Sequence, residues 1–210
     1  MTVEYHHPDL PSGKGALISD CGAYRYLLTR FWENTEHRRA RRRRHIMTFL
    51  MLNPSTADSN QDDPTIRKCV QFAHRNGCNG MHVVNLFAYR ATDPRDLIEA
   101  AAAGVDIVGP ENMKTIRHHF LAPGEGLNYG YFICAFGNLD KRLVEILLDK
   151  SRWPYIGALS KALHVEMLHL NKSGWPAHPL YQPYDRKLYR YVFPKQIRDK
   201  FWLPKAGHHG

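Results

Sequence analysis

Two short stretches of this 210-residue chain hold the side chains best suited to chemistry. The first is Asn53-Pro54-Ser55 and the polar run behind it, which carries Thr56, Asp58, Asn60, Asp62 and Asp63. A carboxamide has both a donor and an acceptor, so Asn53 can hold a water or a ligand from two sides. Asp58 can take a proton as a general base, and Ser55 adds a hydroxyl for substrate contact. Local roles compete with these. Asn53 can close an Asx turn, Asp62 can pair with Arg67, and Asp63 before Pro64 reads as a helix N-cap. Asp58 has no such structural task.

The second stretch is Lys172-Ser-Gly-Trp-Pro-Ala-His178-Pro-Leu-Tyr181. Prolines 176 and 179 stiffen the backbone around His178, and a rigidly presented imidazole suits proton transfer or charge stabilisation near neutral pH. Lys172 supplies a cation for an anionic substrate. Between the two stretches stand Asn85, Arg90 and Asn138, each following an apolar run. Arg90 can clamp a phosphate or carboxylate with its fork of donors, or pair with Asp93 or Asp96. Glu111 and Asn112 read as first-turn caps. The spacing of Asp58 and Asp62 does not fit a calcium loop, and His118-His119 and His208-His209 have no partners at metal spacing. Neither a phosphate-binding P-loop, nor GxGxxG, GxSxG or HExxH occurs, so no cofactor and no metal are expected.

These residues need elements to hold them. The run 46–52 is apolar apart from Thr48 and stops at Asn53-Pro54, which is the pattern of a buried strand ending in a loop. Strands are likewise expected over 24–32, 81–87, 130–136 and 163–170. Asp63-Pro64, Asp93-Pro94, Gly109-Pro110 and Asp140 open helices, and Asn76-Gly77 closes the first of them. The strand at 24–32 is expected to pair antiparallel with 46–52, with the arginine-rich connection protruding between them. A terminal helix is expected over 195–201. Strands alternating with helices predict a three-layer α/β/α sandwich with a mostly parallel central sheet. Residues 1–20 read as an irregular lead-in, 21–184 as one α/β domain and 185–210 as an appendage. In a parallel sheet, Asn53, Asp58, Asn85, Arg90, Asn138, Lys172 and His178 would gather along one edge, where open α/β sheets bind ligands.

The hydrophobic share of 43% and charged share of 23% are those of a globular chain with a core. No run reaches the length of a membrane span, and the N-terminal residues lack the apolar centre of a secretory signal. Cys21, Cys69, Cys78 and Cys134 are scattered without CxxC spacing, and three of them sit in apolar or helical surroundings, as buried free thiols would. A cytoplasmic protein with no membrane partner is therefore expected. The net charge of +9 is local: Arg38, Arg39, Arg41, Arg42, Arg43 and Arg44 supply six of the positive charges. Such a cluster attracts polyanions without reading their sequence, which makes nucleic acid the expected partner. The other reading of the cluster is a solvated loop.

The segments 49–58 (Phe-Leu-Met-Leu-Asn-Pro-Ser-Thr-Ala-Asp), 62–67 (Asp-Asp-Pro-Thr-Ile-Arg), 84–94 (Val-Asn-Leu-Phe-Ala-Tyr-Arg-Ala-Thr-Asp-Pro), 109–112 (Gly-Pro-Glu-Asn) and 178–181 (His-Pro-Leu-Tyr) resemble the DUF1643 family of bacterial and phage proteins. The resemblance runs from about Tyr24 to Pro183 and carries no assigned activity. Asn53-Pro54-Ser55 is also similar to the Gly-x-Asn-Pro-Gly motif of mismatch-type uracil-DNA glycosylases, and His178-Pro179 resembles their His-Pro-Ser motif. Neither glycine of that motif is present here, Ser55 standing in place of the second, and Leu180 stands where the other motif has serine. The second resemblance implies a glycosylase-like sandwich in which Asn53 holds a water and His178 stabilises the departing base. Three functions follow as expectations. The first is a nucleobase- or nucleotide-directed enzyme with Asn53, Asp58 and His178 at its centre, in which Ser55, Asn85, Arg90, Asn138 and Lys172 bind substrate. The second is a non-catalytic DNA- or RNA-binding accessory protein of phage or mobile-element origin. The third is an enzyme on a small phosphorylated metabolite.

Overall fold

The computed structural model describes residues 13–32, 45–55, 57, 61–121, 128–149, 151 and 165–195. The six arginines of 38–44, Asp58 and the expected helix beyond Lys195 lie outside the described residues. Seven strands form one sheet: β1 (Gly13–Ile18), β2 (Arg25–Phe31), β3 (His45–Met51), β4 (Gly80–Asn85), β5 (Asn128–Cys134), β6 (Val165–Met167) and β7 (Tyr189–Arg190). Their order across the sheet is β1-β2-β4-β3-β5-β6-β7. The central pairs β4/β3, β3/β5 and β5/β6 are parallel, and the outer pairs β1/β2, β2/β4 and β6/β7 are antiparallel.

The central position of β3 follows from its sequence. Every residue after His45 is buried, so both faces must be covered and both edges paired. β4 is buried along its whole length and takes one edge, with Met51 opposite Asn85 at the end of the ladder. The expected pairing of 24–32 with 46–52 is replaced. The β3–helix–β4 crossover puts β4 against β3, and β2 pairs with the far edge of β4, Leu28 opposite Val83. Residues 13–18, expected to be irregular, form edge strand β1. Its backbone groups are satisfied by β2, a pairing that needs little apolar periodicity. β7 is two exposed residues on the opposite edge.

Four α-helices are present among the described residues. α1 (Pro64–Arg75) starts where Asp63 accepts the N–H of Ile66 at 2.8 Å, and it buries Ile66, Cys69, Phe72 and Ala73. α2 (Pro94–Ala102) is capped by Asp93, and α4 (Lys141–Leu148) by Asp140. The helix expected from 110 to about 120 divides into α3 (Asn112–Ile116) and a π-helical turn, Arg117–Leu121. The wider turn lets the successive residues His119 and Phe120 both point inward.

Side chains alternate across β3. Met47, Phe49 and Met51 pack with α1 on one face, while Leu50 joins Leu97 of α2, Ile116 of α3 and Leu143 of α4 on the other. The chain is thus mixed α/β, with helices on both faces of a sheet that is parallel in its middle. It leaves β3 towards α1 on one face and leaves β5 towards α4 on the other. Connections departing in opposite directions from adjacent parallel strands open a crevice at their carboxyl ends. No helix among the described residues is long and apolar enough to cross a membrane.

Candidate functional site

That crevice is a cavity of about 360 Å³, within the range of pockets that enclose small ligands. Asn53 and Ser55 reach it from the end of β3 and Asn85 from the end of β4. Asn138 follows β5, and His178 comes from the loop after β6. Five expected site residues separated by up to 125 positions are therefore neighbours of one space. Met51, Leu52, Ile66, Phe136 and Leu180 give it apolar walls, and Tyr181 stands at its rim, 81% exposed.

Asn85 is the polar group with the least support from the protein. It is 1% exposed, and neither its Nδ2 nor its Oδ1 has a hydrogen-bond partner among the described residues. Leaving a buried polar group unpaired costs roughly 1–3 kcal/mol, so folds seldom keep one without a use for it. Its backbone is pinned from behind: the buried Asn112 donates through Nδ2 to the Asn85 carbonyl at 3.1 Å and to the Leu86 carbonyl at 3.2 Å. Asn112, read from sequence as a cap, instead ties α3 to the end of β4.

The other carboxamides are engaged. Asn53 Nδ2 donates to the carbonyls of Ala91 at 2.7 Å and Pro54 at 3.2 Å, which locks the loop and leaves Oδ1 as its acceptor. Asn138 Oδ1 accepts from Asn171 Nδ2 at 2.8 Å and from Ser173 Oγ at 2.7 Å, tying the end of β5 to the His178 loop. Gly137 makes the turn there with φ of +76°, and a Cβ on it would stand 3.7 Å from His178 Cβ. The two loops are in close approach at that point.

His178 caps a short 3-10 turn, Pro179–Tyr181, by accepting the Leu180 N–H on Nδ1 at 3.4 Å. An accepting Nδ1 carries no proton, so the neutral ring holds its proton on Nε2 as a donor. Burial lowers the pKa of His178 below the ordinary histidine value of 6.5, against a smaller opposing pull from the Asp63 charge. Both effects on the ring, the hydrogen bond and the burial, favour the neutral donor form.

Sequence reasoning missed two wall residues. Asp63 is the N-cap it was read as, but it also lines the cavity and accepts the Ser55 hydroxyl. Arg25 of β2 is 2% exposed, lines the cavity and donates to the Ala57 carbonyl. The signal for it was an arginine at a buried strand position. Arg30, on the same strand, is its counterpart. It binds the Asp62 carboxylate at 2.6 Å, and Arg67, one possible partner of that carboxylate, donates to the Asp62 carbonyl instead.

Two expected residues fall elsewhere. Arg90 lines an adjoining cavity of about 240 Å³ that shares Ser55, Ala91 and Thr92 with the first, and it donates to the Gly22 carbonyl at 3.2 Å. The alternative pairing of Arg90 with Asp93 is taken by Arg95, whose Nη2 lies 2.6 Å from that carboxylate. Lys172 is exposed on the turn before His178 and does not line the cavity. No cluster of three His, Cys, Asp or Glu among the described residues has a metal-holding arrangement.

No curated protein and no solved structure matches the chain. One family model does, over residues 25–180, a span that includes β2 through Leu180 and so every residue lining the cavity just described except Tyr181. The chain therefore belongs to the DUF1643 family, described as a protein of unknown function.

Proposed function

We propose that the cavity holds a nucleobase and that the protein is a nucleobase- or nucleotide-directed hydrolase, cutting the bond between base and sugar. The observation that carries this reading is the buried Asn85 carboxamide, with donor and acceptor both unclaimed at the cavity wall. Nucleobase edges offer donors and acceptors side by side, which a carboxamide matches two at a time. The apolar walls around Ile66, Phe136 and Leu180 suit the faces of a flat ring.

In this reaction the water oxygen bonds to the sugar C1′ while the C1′–N bond breaks, and the bonding pair leaves on the base. Asn53 Oδ1 orients the water. Its proton passes to a carboxylate of the same loop, Asp58 in the sequence-based assignment or Asp63 on the cavity wall. The base anion is stabilised by the Nε2–H of a neutral His178 and is then protonated from solvent, to which the carboxylic acid returns the proton taken from the water. Arg90, in the adjoining cavity, contacts phosphate, and the arginines of 38–44 grip the wider phosphate backbone. The sheet-end location of the cavity is in keeping with the glycosylase-like sandwich that the Asn53 and His178 motifs imply.

The test is incubation with nucleosides and with uracil-containing or otherwise modified oligonucleotides, followed by chromatography of the free base. Release by the wild type, reduced at least 100-fold in His178→Ala and in Asn85→Leu, is the expected result. Absence of release from every substrate, or release indifferent to both substitutions, overturns the reading.

A further inference from the structure

A second concavity, of about 700 Å³, runs along the outer face of α1 and shares Leu180 with the wall of the first. Arg67, Lys68 and Arg75 line it, with Arg67 and Arg75 exposed. The one carboxylate on its wall among the described residues, Asp62, is already engaged by Arg30 at 2.6 Å and Lys14 at 3.5 Å, so it offsets the helix cations little. Tyr184 holds the cations in place. Lys68 Nζ stands 3.6 Å from its ring centroid, and the Arg75 guanidinium carbon 5.6 Å. Arg67 and Arg75 are eight residues apart, about 12 Å along the helix axis. That is too far to close on one phosphate and suits separate phosphates of a chain. Next to the shared Leu180, on the rim of the cavity, stands Tyr181, 81% exposed, an aromatic face open to a neighbouring base.

We propose that this groove is the track for a single-stranded polynucleotide, with Arg67, Lys68 and Arg75 on its phosphates and Tyr181 stacked on the base next to the one in the cavity. The inference rests on the reading of the cavity as a base pocket, and it makes the substrate a strand instead of a free nucleotide.

Fluorescence anisotropy with labelled single-stranded DNA and RNA oligonucleotides, beside a labelled mononucleotide, tests it on the full chain. The wild type is expected to bind an oligonucleotide at least tenfold tighter than the mononucleotide. Arg67→Ala/Lys68→Ala/Arg75→Ala is expected to lose that gain, with the slope of log affinity against log salt reduced by about 2, and to leave mononucleotide binding unchanged. Tyr181→Ala is expected to weaken oligonucleotide binding about five- to tenfold without changing the slope. The DNA and RNA arms show which strand is preferred. The proposal is overturned if the triple variant binds oligonucleotides like the wild type, or if polyglutamate of matching charge competes as well as an oligonucleotide does. Mononucleotide binding without any oligonucleotide gain overturns the track and leaves the base pocket standing. Oligonucleotide binding lost in the triple variant but indifferent to Asn85→Leu upholds the track and overturns the pocket.

Discussion

Asn85 separates stability from function more sharply than any other residue of the cavity. Its carboxamide is buried and unpartnered among the described residues, so the folded protein gains nothing from its polarity. Asn85→Leu, close in shape, is expected to melt at the same temperature as the wild type or a few degrees above it, because an apolar group replaces two unsatisfied ones. A fall of several degrees would mean that the amide is bonded in the fold. His178 makes a separate prediction, about pH. Its Nδ1 accepts from Leu180 and burial holds its pKa below 6.5, so the neutral donor is the form that the proposed reaction would use. Base release is expected to be flat above pH 6.5 and to fall at lower pH as the ring charges and must break the Leu180 bond. A rate that falls on raising the pH through 7 to 8 would identify an imidazolium instead. The sequence marked both residues as candidates by position, since each follows an apolar run or sits between prolines. That Asn85 is the unpaired amide, and Asn53 and Asn138 the paired ones, depends on which backbone carbonyls and loop side chains come within reach. No local pattern carries that information.

Among the elements, α3 looks minor at five residues, yet it sets the geometry of the site. Asn112 reaches from its first turn to the carbonyls of Asn85 and Leu86 and so fixes the end of β4. Asn112→Ala is expected to cost about 1–3 kcal/mol in urea unfolding, because buried carbonyls lose a donor, and to weaken ligand binding as Asn85 loses its anchor. Unchanged stability would show that these bonds are replaced by water. The strands and helices beside the cavity were the most legible part of the sequence. β3 is apolar from Ile46 to Met51 apart from Thr48, β4 is built on Met81, Val83 and Val84, and α1 has an Asp-Pro start, an apolar stripe and an Asn-Gly stop. The margins were less so. β1 has little apolar periodicity, and β7 is two residues long. The partner of β2 was decided by the β3–α1–β4 crossover, a competition between strands that pairwise reading does not weigh.

For the molecule as a whole, acid is the condition that should expose how the interior is built. His82, His119 and His178 all have pKa values lowered by burial, and His119 is lowered to about 4. His82 and His119 stack edge to face at 4.9 Å, so a charge on either also faces its neighbour. Unfolding lets each ring take up a proton at the ordinary value near 6.5, so the unfolded state binds more protons between about pH 4 and 6.5 and stability rises with pH across that window. His119 alone accounts for about 3 kcal/mol, present in full above pH 6.5 and lost as the pH falls to 4. Urea midpoints are expected to be level above pH 6.5 and to drop steadily below it. A level profile down to pH 4.5 would mean that these rings are already charged or solvated in the fold. The sequence showed an α/β chain with candidate site residues at strand ends, and the topology brought five of them to one cavity. The measurement that bears most directly on what the cavity is for is a calorimetric titration of free nucleobases, nucleosides and nucleotides into the wild type and Asn85→Leu. Binding of at least one of them with one-to-one stoichiometry, weakened about 30- to 100-fold by the substitution as two hydrogen bonds are lost, is expected. No binding to the wild type by any of the three classes, or equal binding by both proteins, would contradict a nucleobase pocket built on Asn85.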